Sequence, residues 1–210
     1  MKKFKISDFF TIENVRGINK NKLTKPSDDE QFDYVTRTAR NNGIESVTGL
    51  VPDCDYNEAN TISLGLLQMT FFLRDKPWYG GQFLRKITPK QDFNREQMLY
   101  FLGVMRPLGR LFSSVLVRHV NDLFNKAEVE LPVTSTGKPD FDYMTEFIKK
   151  LEVERIKELE AERIRELKAY LQVTGLDNTT FSVSTDGKSV VGSLSDWIWN
   201  NIVLRRFSNS

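Results

Sequence analysis

Two short stretches of this 210-residue chain concentrate side chains that make hydrogen bonds in fixed geometry. The first holds Arg37, Thr38, Arg40, Asn41 and Asn42 and closes on Gly43. The second holds Trp78, Tyr79, Gly80, Gly81 and Gln82, with Lys76 before it and Arg85 and Lys86 after it. Arginine presents a two-toothed donor fork to a guanine edge, while Asn and Gln match the donor and acceptor of adenine. A glycine pair lets backbone approach a phosphate, and flanking Lys or Arg can hold a phosphodiester without reading bases. The same residues also have a plainer use. Asn-Gly and Gly-Gly serve turn geometry, and Trp78 and Tyr79 can cap a core.

Catalytic chemistry is poorly supplied. His119 is the only histidine and sits in an apolar helical pattern beside Val117 and Val120, which suits a packed or capping role. One His and the single Cys54 cannot furnish a zinc site. Asp53-Cys54-Asp55 reads as a polar turn. Gly80-Gly81 lacks the Lys-Ser/Thr that completes a phosphate-binding loop. No glycine-rich cofactor loop or Asn-Pro-Pro-Tyr motif is present, and no Glu-x-Lys follows Pro139-Asp140 at Glu146. The chain therefore reads as a binding module and not an enzyme, with no cofactor and no metal.

Charge narrows the partner. Residues 1–139 carry 20 Lys+Arg against 16 Asp+Glu, residues 140–171 carry 7 against 9, and residues 172–210 carry 3 against 3. The cationic excess lies in the first part and favours an anionic partner. A lone cysteine allows no disulfide within the chain. The basic start Met1-Lys2-Lys3 leads into no apolar core. Both observations predict a cytoplasmic protein, and no run is long and apolar enough to enter a membrane.

The elements that must position these residues follow from periodicity. Residues 4–12 mix a strand pattern with a helical turn capped by Ser7, and 13–31 are loop-like. Residues 32–38 alternate as a strand, 39–44 turn, and 46–51 form a further strand. After a loop at 51–60, the apolar run 61–73 predicts a buried strand pair bent at Gly65. Residues 75–81 read as a tight aromatic loop, followed by a strand at 82–88. Residues 94–125 read as helix, split in two by Pro107 and Gly109, and 129–133 as a last strand.

Residues 140–171 contain neither Gly nor Pro and predict one helix about 48 Å long. Residues 154–161 recur, slightly varied, as 162–169. Met144, Phe147, Ile148 and Leu151 fall in one arc, expected to pack on the globular part. Ile156, Leu159, Ile164, Leu167 and Leu171 fall in a second arc that calls for a partner helix. The repeat of eight does not make a true heptad coiled coil. Beyond 173, residues 180–184 and 189–191 predict a hairpin around Asp186-Gly187, followed by an aromatic segment with Trp197 and Trp199.

Read in order, FKISDFFTI, YVTRTARNNGI, NTISLG, FFLRDKPWYGGQ and LPVTSTGKPDFDYMTEFIKKL resemble a known series. They are similar to the target recognition domain and conserved helix of restriction–modification specificity subunits, of the Type I kind and their Type IIB relatives. The resemblance covers roughly residues 1–176, with residues 34–44 and 131–151 the most telling. It implies an α+β fold: a mixed, strand-rich target recognition domain at 1–139, a long projecting dimerisation and spacer helix at 140–173 with coiled-coil-like pairing, and a tail at 174–210.

Such subunits carry two recognition domains and two antiparallel helices, whereas this chain shows one of each. The resemblance therefore implies a half-length, DNA-binding, non-catalytic specificity subunit. It would read half of a bipartite double-stranded DNA target through the two polar stretches. It would pair as a homodimer, or with another specificity chain, and dock a DNA methyltransferase subunit and a restriction subunit. The alternative is an adaptor that works through its long helix without nucleic acid.

Overall fold

A computed structural model describes residues 1–28, 30–113, 116–175, 180–185 and 188–193, with backbone alone at 116–117 and in the last two stretches. It divides into two compact units, Met1–Lys149 and Lys150–Ser210. The expected boundary at 139/140 thus stands beside one at 149/150, inside the long helix.

The first unit is α+β. A four-stranded antiparallel sheet runs in the order β2 (Phe10–Asn14), β8 (Leu84–Pro89), β5 (Thr61–Gly65) and β6 (Thr70–Arg74). The apolar run at 61–73 does fold into two paired strands, with Thr61 opposite Arg74 and Gly65 opposite Thr70. Every residue of β5 is buried, as its near-continuous apolar character demands of a central strand. A three-stranded sheet has the order β4 (Ile44–Thr48), β3 (Phe32–Val35) and β7 (Trp78–Gly80). β1 (Lys2–Lys5) pairs antiparallel with β9 (Glu128–Leu131), tying the start of the unit to its end.

Here the structure corrects the reading of 75–81 as a loop. Trp78–Gly80 is a strand parallel to β3, with Asn57 bridging its other side. Pro77 and the glycine pair hid the strand, because its partners are distant in sequence. Ser7 does not cap its turn, since its hydroxyl donates to the Asn125 carbonyl at 2.9 Å.

Among the described residues the helical region is α1 (Arg95–Met105), α2 (Leu108–Ser113), a 3-10 turn at Leu116–His119 and α3 (Val120–Lys126), more pieces than the expected two. A capping box starts α1: Asn94 Oδ1 accepts from Gln97 N at 2.8 Å, and Asn94 N donates to Gln97 Oε1 at 3.1 Å. Pro107 separates α1 from α2. The core is aromatic. Phe101 lies 4.9 Å from Phe93 and 5.0 Å from Phe10 between ring centroids, and Phe93 lies 5.4 Å from Phe141 at the start of α4. Each fully buried ring contributes about 1.5–3 kcal/mol relative to exposure.

α4 spans Phe141–Thr174. Its first stripe is only partly buried: Met144 is sealed, Ile148 half-buried, and Phe147 and Leu151 are 40% and 44% exposed. Phe147 meets Tyr100 edge-on at 5.7 Å and stacks on Tyr143, so it lies at the rim of the core and not inside it. In the second unit, Ile156, Leu159 and Leu167 are exposed and Ile164 is half-buried. Leu171, at 4% exposure, is covered and does not belong to an open stripe. β10 (Thr180–Thr185) and β11 (Lys188–Ser193) pair antiparallel as the expected hairpin, while Trp197 and Trp199 lie outside the described residues. Among the described residues no helix is long and apolar enough to cross a membrane, and no group of three His, Cys, Asp or Glu is placed to hold a metal.

Candidate nucleic-acid interface

The loop after β3 is built on three consecutive left-handed residues, Asn41 (φ 47°), Asn42 (φ 51°) and Gly43 (φ 80°). Asparagine is among the few side chains that accept this conformation. Asn41 Nδ2 donates to the Ile44 carbonyl at 3.1 Å, and the Thr36 amide donates to the Gly43 carbonyl at 2.8 Å. A methyl group on Gly43 would sit 3.2 Å from the Thr36 carbonyl oxygen, on a backbone already unsuited to it.

An arginine that sequence reasoning passed over anchors the loop from beneath. Arg74, at the end of β6, is 1% exposed. Its Nη2 donates to the Asn42 carbonyl, its Nε donates to Ser63 Oγ at 2.8 Å, and its fork lies over Phe72. Burial pulls its pKa down to about 10, against the opposing pull of Asp33 and Asp75. Burial also raises the carboxyl of Asp33 above the ordinary aspartate range.

The second stretch divides. Trp78 and Tyr79 are fully buried. The indole Nε1 donates to Thr61 Oγ1 at 3.0 Å, and the Tyr79 hydroxyl accepts from the Val51 amide at 3.1 Å. Neither ring lies on a surface. Gly80 and Gly81 are buried too, and a methyl group on Gly80 would collide with Val15 Cγ1. At Gly80 that smallness admits the close packing of a neighbouring segment. Gln82 is exposed.

Arg85 is half-buried, donates to Asn121 Oδ1 at 2.8 Å, and has its pKa lowered by burial. Lys86 forms a cross-strand ion pair with Glu13 at 2.6 Å, with its side chain 19% exposed. Both cations are therefore engaged by neighbouring side chains. Lys76 is exposed.

A cleft of about 490 Å³ brings parts of both stretches together. Arg37 and Thr38 line it from the end of β3, and Gly81 and Gln82 from the β7–β8 turn. Arg40, Asn41 and Asn42 follow on the exposed loop and do not line it. Three further segments complete the walls: residues 18–20, Glu45 of β4, and Leu67-Gln68 in the β5–β6 turn. Lys20 and Glu45 form an ion pair at 2.6 Å, and that hydrogen bond, ahead of the charge attraction, raises the lysine pKa. Arg37 is exposed with its guanidinium carbon 5.1 Å above the Phe83 ring. The polar Asn19-Lys20-Asn21-Lys22 run was a usable signal for one wall. Leu67-Gln68 carried none, being buried in sequence within an apolar run.

Chemically the cleft offers the Arg37 guanidinium, the primary amides of Asn19, Gln68 and Gln82, the hydroxyls of Tyr34, Thr36 and Thr38, and an ion pair across an open floor. That set is chemically suited to hydrogen bonding with flat, edge-patterned groups.

The comparisons with known proteins agree in direction. The family model for the Type I restriction modification DNA specificity domain matches residues 1–161. The specificity subunit of the Type II restriction enzyme BgcI from Heyndrickxia coagulans is 26% identical over 149 residues, covering 70% of this chain and 42% of that protein. The chain thus spans less than half the length of that relative. Among solved structures, a chain of a type I R-M system is similar with a TM-score of 0.55 at 12% identity, covering 82% of this chain and 44% of its own. The HsdS subunit from Thermoanaerobacter tengcongensis is similar with a TM-score of 0.52 at 10% identity, covering 79% and 39%. These structural likenesses concern the fold, and they match its α+β character. With a family match across more than two thirds of its residues, the chain belongs to the Type I restriction modification DNA specificity domain family.

Proposed function

We propose that this chain is a DNA-reading specificity subunit of a restriction–modification complex and that it carries no reaction itself. The observation that supports this most is the cleft. Two stretches more than 40 residues apart, each suited to base edges, meet there with their polar ends open to solvent. Arg37, Thr38 and Gln82 would contact base edges of one half of a bipartite target. Arg40, Asn41, Asn42 and Lys76 would contact flanking backbone or bases, while Trp78, Tyr79, Gly80, Gly81, Arg85 and Lys86 shape the domain. On α4, Ile156, Leu159, Ile164 and Leu167 would pair with a second copy or another specificity chain, and the complex would carry a methyltransferase and a restriction subunit.

Co-expression with a methyltransferase subunit, followed by sequencing of methylated sites, tests the proposal. A specific split motif is expected, shifted or lost in Arg37→Ala. Binding to a duplex should weaken steeply as salt rises, because neutralised phosphates have released their counterions. An adaptor acting through α4 alone would leave methylation unpatterned and retain no duplex.

A further inference from the structure

Phe83 is an anomaly. It is an aromatic residue at φ 62°, a left-handed conformation that bulky side chains rarely adopt. Such outliers persist only where the surroundings hold them, and they gather at functional sites. The hold is visible: the Phe83 carbonyl accepts from the Leu66 amide at 3.0 Å, while Leu84 next to it is sunk in the core. The outcome is a ring 46% exposed, lying under the Arg37 guanidinium.

The partner turn does the same. Leu66 and Met69 point inward at 2% and 7% exposure, Met69 again with positive φ, while Leu67 between them is 61% exposed and lines the cleft. An exposed leucine alone says little. Here two hydrogen-bonded turns each present an apolar side chain to water, beside Arg37, Gln68 and Gln82.

We infer that Leu67 and Phe83 are specificity-determining residues that contact a thymine methyl group within the half-site. This rests on the DNA-reading function proposed above. The C5-methyl of thymine is the apolar mark among the donors and acceptors of the major groove. Guanidinium and amide groups read the polar marks, and these two side chains supply the missing apolar contact. A wedge inserted between base pairs fits less well, because the Phe83 face is covered by Arg37.

The test uses the full chain. A randomised duplex pool first yields the preferred half-site. Each thymine in it is then replaced by deoxyuridine, which removes only the methyl group, and affinity is measured at fixed salt. Wild type, Leu67→Ala and Phe83→Asn are compared; Asn tolerates the left-handed backbone, and Leu67→Ala trims an exposed side chain, so both should fold. At one or two thymines the wild type should bind the deoxyuridine duplex roughly threefold to tenfold more weakly, the scale of one buried methyl group. That sensitivity should vanish in at least one variant. A half-site without thymine, insensitivity at every thymine, or undiminished sensitivity in both variants overturns the inference while leaving DNA reading intact. A pool that shows no enrichment overturns both.

Discussion

Arg74 offers a decisive separation of stability from binding. In Arg74→Met the side chain keeps its length and its packing on Phe72 but loses the fork. Two acceptors, the Asn42 carbonyl and Ser63 Oγ, are left without their donor. Ser63 Oγ is buried, and leaving it unsatisfied costs about 1–3 kcal/mol. The Asn42 carbonyl lies on an exposed loop where water can replace the lost donor, so the loss is about 1–3 kcal/mol. Against it stands the removal of a buried charge. A pKa pulled down to about 10 corresponds to about 3 kcal/mol against the charged form, at ~1.4 kcal/mol per pKa unit. The two effects nearly offset, and the expected net destabilisation is small. The loop has no such compensation. Asn41 and Asn42 hold left-handed backbone above that guanidinium, and freeing the Asn42 carbonyl should let the 40–43 turn relax. Urea unfolding followed by tryptophan fluorescence measures the first effect, and affinity for the selected duplex measures the second. A folded variant with at least roughly tenfold weaker binding is expected, a ratio that corresponds to ~1.4 kcal/mol. Destabilisation above about 3 kcal/mol would refute the offset. Unchanged affinity in a folded variant would refute the positioning role.

Other outcomes follow from the same geometry. Arg37→Ala should cost roughly 1–3 kcal/mol on the preferred site and relax one position, whereas Lys86→Ala, whose ammonium already serves Glu13, should leave duplex affinity unchanged. Competition binding with a panel of base-substituted duplexes separates the two. Phe147→Ala should lower stability by only about 1 kcal/mol, below the 3–5 kcal/mol of a sealed core ring, because the side chain sits at the rim; a thermal melt reads this. Ile156→Asp with Leu159→Asp should turn an α4-paired assembly into a folded monomer by light scattering. A wild-type chain that stays monomeric at high concentration with no partner chain would count against pairing through that face.

The local elements were determined by the sequence itself. The α4 helix was legible because helix formation depends on residues three and four apart, and its residues supply that pattern with no breaker. The β5–β6 pair was legible for a similar reason: a continuous apolar run with a central turn must bury both its arms. The polar loop at 37–43 could be seen because Asn-Asn-Gly names its own backbone. Tertiary structure alone decided which of these residues meet. Trp78 and Tyr79 look the same whether they stack on a partner or fill a core, and the strand beside them was set by β3, more than 40 residues upstream. Arg74 looks like a surface arginine until Ser63 and the Asn42 carbonyl close around it. Phe83 and Leu67 carry no sequence signal, because residue type and spacing do not report which apolar side chains two distant, hydrogen-bonded turns leave exposed. Periodicity reports which face of an element is apolar, but a cleft is a relation between elements, fixed only when their packing is complete.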